Sequence, residues 1–362
     1  MLSDAIDFAQ IKRVLVIKLR HHGDVLLSAP VLSTLKQHAP HLEIDALVYA
    51  DTAPMLSHHP DLSHLYCIDR QWKKLGVLAQ AQAEWGLLRT LQSRHYDLVI
   101  HLTDHKRGAW LTRLLKPRYA VAPSASFGKL FKKVFSHRYA VVGGNRRHTV
   151  DIHLDALRRL GLRPSVDSAR LQLAIPADMA EQAAAKRRAI GIPDGQSYIL
   201  IHPTSRWMFK TWPPAQMAAL IHLLQQRGET VLLTAAPDPV ELETLAKIEH
   251  DLDHKPASLA GALSLKELGA LIAGASEFIG MDSVPMHMAA AVNTPVVALF
   301  GPSGDVEWGP WKVPHRIVSA PFSCRPCGRD GCGGSKQSDC INSLTPETVL
   351  AALDDLRRET RP

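Results

Sequence analysis

The chain has 362 residues, 46% of them hydrophobic and 21% charged, which is enough apolar material for two cores of ordinary size and excludes a disordered polymer. Its 42 basic residues exceed 35 acidic ones, a formal charge of +7 that suits either plain solubility or anionic partners: nucleic acid, anionic lipid or phosphorylated sugars. No run approaches the roughly 20 apolar residues that span a bilayer. Met1 to Gln10 carries Asp4 and Asp7 and is not a signal peptide, so a cytoplasmic location is expected.

Short continuous apolar runs, the mark of strands covered on both faces, alternate with helical patterns. The expected strands are Val14 to Ile17, Ala46 to Tyr49, Leu98 to Ile100 and Tyr139 to Val142, then Tyr198 to Ile201, Val231 to Leu233, Phe278 to Gly280 and Val296 to Phe300. Val31, Leu32 and Leu35 give an early helix stripe that Pro30 would kink. Met217, Leu220, Ile221 and Leu224 define a later one, with Pro213 and Pro214 at its start and Gly228 after its end. The pattern begins twice, at Val14 and at Tyr198. It predicts an α/β chain of two Rossmann-like, doubly wound parallel-sheet domains facing a central cleft. The expected division is 1–175 and 176–344 with a linker near Gly161 to Pro176. Residues 345–362 form a terminal helix with Val349, Leu350, Leu353 and Leu356 on one side.

Three strand-to-helix turns can carry chemistry. In the first, Gly23 permits a tight turn and Asp24 follows; it reads as a helix N-cap or as a general base toward a hydroxyl. In the second, from His202 to Pro213, the hydroxyls of Thr204 and Ser205 and the cations Arg206 and Lys210 suit a phosphate group or a solvated loop. In the third, Asp282 and Ser283 precede a helix whose free N–H groups make an anion site, and His287 lies one turn in, as a packing residue or a ligand. Cys324, Cys327, Cys332 and Cys340 could hold a structural zinc by count. Their spacing is not that of paired knuckles, and reduced thiols are the preferred reading.

Together these stretches resemble the ADP-heptose:lipopolysaccharide heptosyltransferases, and within them the type III branch. The resemblance rests on Lys18-Leu-Arg-His-His-Gly-Asp-Val-Leu-Leu27, Pro203-Thr-Ser-Arg-Trp207 with Lys210 and Trp212, Met281-Asp-Ser-Val-Pro-Met-His-Met288, and Cys324-Arg-Pro-Cys327 with Asp330-Gly-Cys332-Gly-Gly334. It implies a GT-B architecture in which the terminal helix, residues 345–362, packs back on the N-terminal domain, and transfer of L-glycero-D-manno-heptose from ADP-heptose to the lipopolysaccharide inner core, with inversion. It also implies a Gram-negative source and no required metal or cofactor. Asp24 becomes the implied base and Lys210 the cation facing the diphosphate. Thr204, Ser205, Asp282, Ser283, Val284 and His287 become donor-binding, with Glu241 on the ribose and Leu263 on the adenine. Arg20, His21, His22, Arg146 and Arg147 become acceptor contacts. His21-His22 before Gly-Asp favours type III over types I and II, and Val284 departs from the glycine of those types. Peripheral contact with the anionic inner-membrane surface is a further expectation.

Two rivals stand beside this reading. A nucleotide-dependent oxidoreductase fits two Rossmann-like domains, but the first turn lacks a Gly-X-Gly-X-X-Gly frame. A nucleic-acid binder fits the charge, but the basic residues match no nucleic-acid module, so no specific nucleic acid is expected.

Overall fold

The computed structural model describes residues 4–124, 131 and 133–360. The chain divides into two compact units, residues 1–143 with 149–174 and residues 144–148 with 175–362.

In the first unit the strands are β1 (Arg13–Ile17), β2 (Glu43–Tyr49), β3 (His64–Ile68), β4 (Leu98–His101), β5 (Tyr119–Pro123) and β6 (His137–Tyr139). All neighbours pair in parallel, in the order β3-β2-β1-β4-β5-β6. The second unit repeats that order with β7 (Ile199–His202), β8 (Val231–Leu233), β9 (Ala257–Ser258), β10 (Glu277–Met281), β11 (Val296–Leu299) and β12 (His315–Val318), arranged β12-β11-β10-β7-β8-β9. Each sheet is therefore doubly wound, and strand order reverses beside its first strand. Loops leaving the two strands at such a reversal diverge, which opens a crevice at their carboxyl ends. In the first unit that point lies between the loops after β1 and β4, and in the second between those after β7 and β10.

The cores follow from sequence. β1 and β4 are buried along nearly their whole length, and Leu15, Ile17, Val99, Leu88 and Leu91 share one cluster. The second unit gathers Ile199, Ile201, Met217, Leu220, Ile221, Leu224, Val297 and Leu299. The helix Pro214–Gln226 starts and stops where the prolines and Gly228 require. Gly228 has φ 76°, and Glu229 N–H reaches back to the Leu224 carbonyl at 3.1 Å.

Four expectations need correction. Pro30 does not kink a helix; the first helical stretch is two helices, His22–Leu26 and Ala29–His38, and Pro30 sits in the opening turn of the second. The sixth strand is His137–Tyr139 rather than Tyr139 to Val142, because Val141 is 48% exposed and the pairing with β5 ends at Tyr139. The terminal helix Pro346–Thr360 buries Val349, Leu350, Leu353 and Leu356 in the core of the second unit, against β11, β12 and the helix Pro214–Gln226, not on the first. Finally, residues 144–148 leave the first unit. The Asn145 amide donates to Asp305 at 2.9 Å, and its Oδ1 accepts from the N–H groups of Val306 and Glu307 at 2.8 and 2.9 Å. His148 stacks on Trp311 and meets the Gly309 carbonyl at 3.0 Å.

Close packing behind β4 sets one local constraint. A Cβ on Gly108 would lie 2.0 Å from His101 Nε2, inside a buried ring. Alanine is favoured over glycine in a helix by about 1 kcal/mol, yet overpacking a core costs about 1–3 kcal/mol. Gly108→Ala is therefore expected to lower the denaturant midpoint, and a stabilised variant would contradict the packing.

Burial also pushes His101 and His202 down to about 4. Both titrate near 6.5 when unfolded, so between these values the unfolded chain binds more protons. The stability that depends on their neutrality is complete above about pH 6.5 and is lost as pH falls through about 4, by up to about 1.4 kcal/mol per pH unit for each histidine. Denaturant titrations should show that slope, reduced in His202→Asn; a flat profile would refute it.

Candidate active site

In the first unit, β1 ends at Ile17 and delivers Lys18 at the sheet edge, directly after a buried apolar run. The helix begins at His22, with His21 as its N-cap residue. Asp24 is the third residue of the first turn, so it is not the N-cap. Its side chain is 22% exposed, and Oδ1 lies 3.4 Å from the buried Lys18 ammonium. Burial pulls the Lys18 pKa down and the neighbouring Asp24 carboxylate opposes that shift.

The rest of the Lys18 shell belongs to the protein. Nζ donates to the Leu102 carbonyl, across the strand-order reversal, at 3.3 Å, and lies 2.8 Å from His153 Nε2. His153 Nδ1 meets the Leu27 carbonyl at 2.9 Å, so Nδ1 carries the ring proton and Nε2 accepts from Lys18. A carboxylate gripped through one oxygen by a held cation keeps its second oxygen for a hydroxyl proton. That is the geometry of a positioned general base. Lys18 and His153 were not singled out from sequence. A lysine directly after a buried strand was the available signal, whereas His153 sits over a hundred residues away in a helix.

Of the basic side chains around this edge, Arg20 pairs with Asp104 at 2.6 Å and the His22 ring meets the Asp51 carbonyl at 2.8 Å, while His21 is exposed. Arg146 is exposed and Arg147 half-buried, and the structure places both with the second unit through the Asn145 and His148 contacts.

In the second unit, β7 leads into Pro203-Thr204-Ser205. Thr204 is fully buried and its hydroxyl donates to Glu241 Oε2 at 2.6 Å. Here that proton goes to Glu241, so the hydroxyl of Thr204 positions the Glu241 carboxylate. Glu241 is itself buried; Oε2 also accepts from Ala236 N–H at 3.3 Å, and Oε1 has no hydrogen bond among the described residues. Behind it lies His202, 3.8 Å from Oε2, kept neutral by burial and bonded to Thr234 at 3.0 Å. Gly261 N–H donates to the Ala235 carbonyl at 2.9 Å, fixing the loop that carries the half-buried Leu263 to the end of β8.

Across the reversal, Lys210 Nζ and Asp282 Oδ2 are 2.6 Å apart; their side chains are 20% and 7% exposed. Ser283 precedes the helix Val284–Ala291, and its buried Oγ has no hydrogen-bond partner among the described residues. Ser205 is buried too; its Oγ accepts from Trp207 N–H at 3.4 Å and keeps its own proton to donate. Val284 is half-buried in the first turn, and His287 is buried one turn along. A cation, two hydroxyls and helix N–H groups at one sheet edge are what an anion needs. Lys210 also borders a cavity of about 590 Å³ whose walls include Trp207, Phe209, Trp308, Glu307 and Asn145, all in the second unit. No local sequence pattern joins those walls, because they come from four separate loops.

The cysteine cluster lies apart in character. Cys324, Cys327 and Cys332 are exposed, and Cys340 is buried with its thiol pKa pushed up. Among the described residues no group of three or more His, Cys, Asp or Glu side chains is placed to hold a metal ion.

Comparison with known proteins places this geometry. Lipopolysaccharide heptosyltransferase 3 of Escherichia coli is 38% identical over 297 residues, covering 81% of this chain and 85% of that protein. The fold matches the glycosyl transferase family 9 structure from Veillonella parvula DSM 2008 with TM-score 0.84, at 23% identity over 99% of this chain and all of the other. It matches E. coli heptosyltransferase WaaC with ADP at TM-score 0.74, with 20% identity over 95% of this chain and 99% of that one. These likenesses give the fold class: α/β, GT-B. The family model Glycosyltransferase family 9 (heptosyltransferase) matches residues 85–336, and this chain belongs to that family of glycosyltransferases.

Proposed function

We propose that this chain transfers L-glycero-D-manno-heptose from ADP-heptose to the inner core of lipopolysaccharide, inverting the anomeric carbon, as a type III enzyme that adds a branch heptose. The observation that carries this reading is the anion cradle at the second sheet's reversal, where Lys210, held by Asp282, shares an edge with the Ser283 hydroxyl, which has no hydrogen-bond partner among the described residues. Family membership and the E. coli heptosyltransferase 3 relative support the choice of sugar and acceptor.

In the proposed reaction Asp24 Oδ2 takes the acceptor hydroxyl proton as that oxygen attacks C1 of the heptose. The C1–O bond to the β-phosphate breaks and ADP leaves. Lys210, Ser205, Ser283 and the helix start at Val284 meet the charge that grows on the departing diphosphate. Glu241 Oε1 takes the ribose hydroxyls and Leu263 contacts the adenine. Arg20, His21, His22, Arg146 and Arg147 supply acceptor contacts. The enzyme works in the cytoplasm, with peripheral contact at the inner-membrane surface.

Asp24→Asn is expected to lower the transfer rate by about 10²–10⁴-fold while ADP binding, read by calorimetry, stays close to wild type. Near-normal transfer would remove Asp24 from the base role. Lys210→Ala should slow transfer by about 10²–10³-fold, and Glu241→Gln should mainly weaken ADP binding; an unchanged ADP affinity in the latter would take Glu241 off the ribose. Core oligosaccharide from a strain lacking the gene should miss a branch heptose, whereas loss of the whole outer core would indicate type I or II.

A further inference from the structure

The basic excess of this chain has one location. Residues 70–118 carry ten basic and three acidic side chains, while the remainder carries 32 of each, so the formal +7 of the whole chain resides in that stretch. The stretch lies within the first unit. Its two helices, Val77–Ser93 and Lys106–Leu115, pack together, and the Gln92 amide donates to the Leu114 carbonyl at 3.3 Å.

The same helices expose apolar side chains. Val77 is 85% and Leu78 88% exposed at the start of the first helix, Trp85 is 53% exposed further along it, and Trp110 is 46% exposed on the second. Scattered apolar residues on a surface need no explanation, but here aliphatic and indole side chains are exposed on two helices that pack together, with a cation beside each indole. Arg89 lies over the Trp85 ring at 5.3 Å and Arg113 over the Trp110 ring at 5.7 Å. Lys73 and Lys74 are exposed just before Val77. Glu84, the one acidic residue on these two helices, is paired with Arg107.

We infer that this face docks on an anionic phospholipid bilayer. Val77 and Leu78 enter the headgroup layer, where apolar burial favours them. The indoles of Trp85 and Trp110 take the interfacial depth at which an apolar ring keeps a polar N–H. Lys73, Lys74, Arg89 and Arg113 extend to lipid phosphates, each cation gaining from the negative surface potential. A protein partner would need a complementary acidic and apolar face, whereas an anionic leaflet offers both properties without a specific fold. The inference rests on the peripheral membrane contact of the proposed function and names the face that makes it, from exposure and charge; it does not depend on which sugar is transferred.

The test is sedimentation of the full chain with vesicles of phosphatidylglycerol and phosphatidylcholine, against vesicles of phosphatidylcholine alone. Binding to the anionic vesicles is expected, weakening as salt is raised. Val77→Asp with Leu78→Asp, and separately Lys73→Glu with Lys74→Glu, should each lower the partition coefficient by at least about tenfold. Transfer to a lipid-free, water-soluble acceptor should stay at the wild-type rate in both, which also reports that they fold. Equal binding to both vesicle types, no binding by the wild type, or wild-type binding by the double aspartate variant would overturn the inference. So would a dimer that the aspartate variant splits while vesicle binding is unaffected.

Discussion

Each sheet edge is organised around a lysine ammonium brought out of water beside an aspartate. Lys18 meets Asp24 in the first unit and Lys210 meets Asp282 in the second, both where strand order reverses. Removing an ammonium from water is costly unless carboxylate and carbonyl oxygens replace its hydration. Lys18 obtains them from Asp24, the Leu102 carbonyl and the His153 ring, and so ties together the loops that the reversal drives apart. Lys210 obtains Asp282 and retains some exposure. The difference is functional in the proposed reaction: Lys18 is enclosed and positions a carboxylate, whereas Lys210 is open enough to meet a ligand.

The central strands were legible because a parallel sheet covered on both faces needs unbroken apolar runs, and Val14 to Ile17 and Val296 to Leu299 supply them. Three strands that were not foreseen, β3, β9 and β12, lie at sheet edges, where fewer apolar residues are required. His64-Leu-Tyr-Cys-Ile68 is exposed or half-buried along most of its length, and Ala257–Ser258 is two residues long. The fourth, β5, is an Ala-rich run closed by a proline, a weak strand signal. The terminal helix shows the limit of periodicity: its apolar stripe announced burial but not which core would receive it.

The site divides in the same way. Asp24, Lys210, Glu241 and Ser283 belong to short motifs at strand ends, where chain order and spatial order agree, so the sequence exposed them. Thr204 is legible as a hydroxyl at a strand end, but its bond to a glutamate 37 residues further along is not. His153 and Asn145 act through contacts more than a hundred residues apart in the chain, which no local pattern encodes. The charge behaved similarly. The basic excess has no local motif to mark it, yet the whole of it falls within residues 70–118, the stretch that holds two helices packed together.

The account's central claim is that the second sheet's reversal holds the donor's diphosphate. A crystal structure of the chain with ADP tests it most directly. The prediction is a diphosphate oxygen within about 3 Å of Lys210 Nζ and another at the same range from Ser283 Oγ, with a ribose hydroxyl on Glu241 Oε1. ADP bound away from Lys210, or with its phosphates turned from the start of the helix Val284–Ala291, would contradict it.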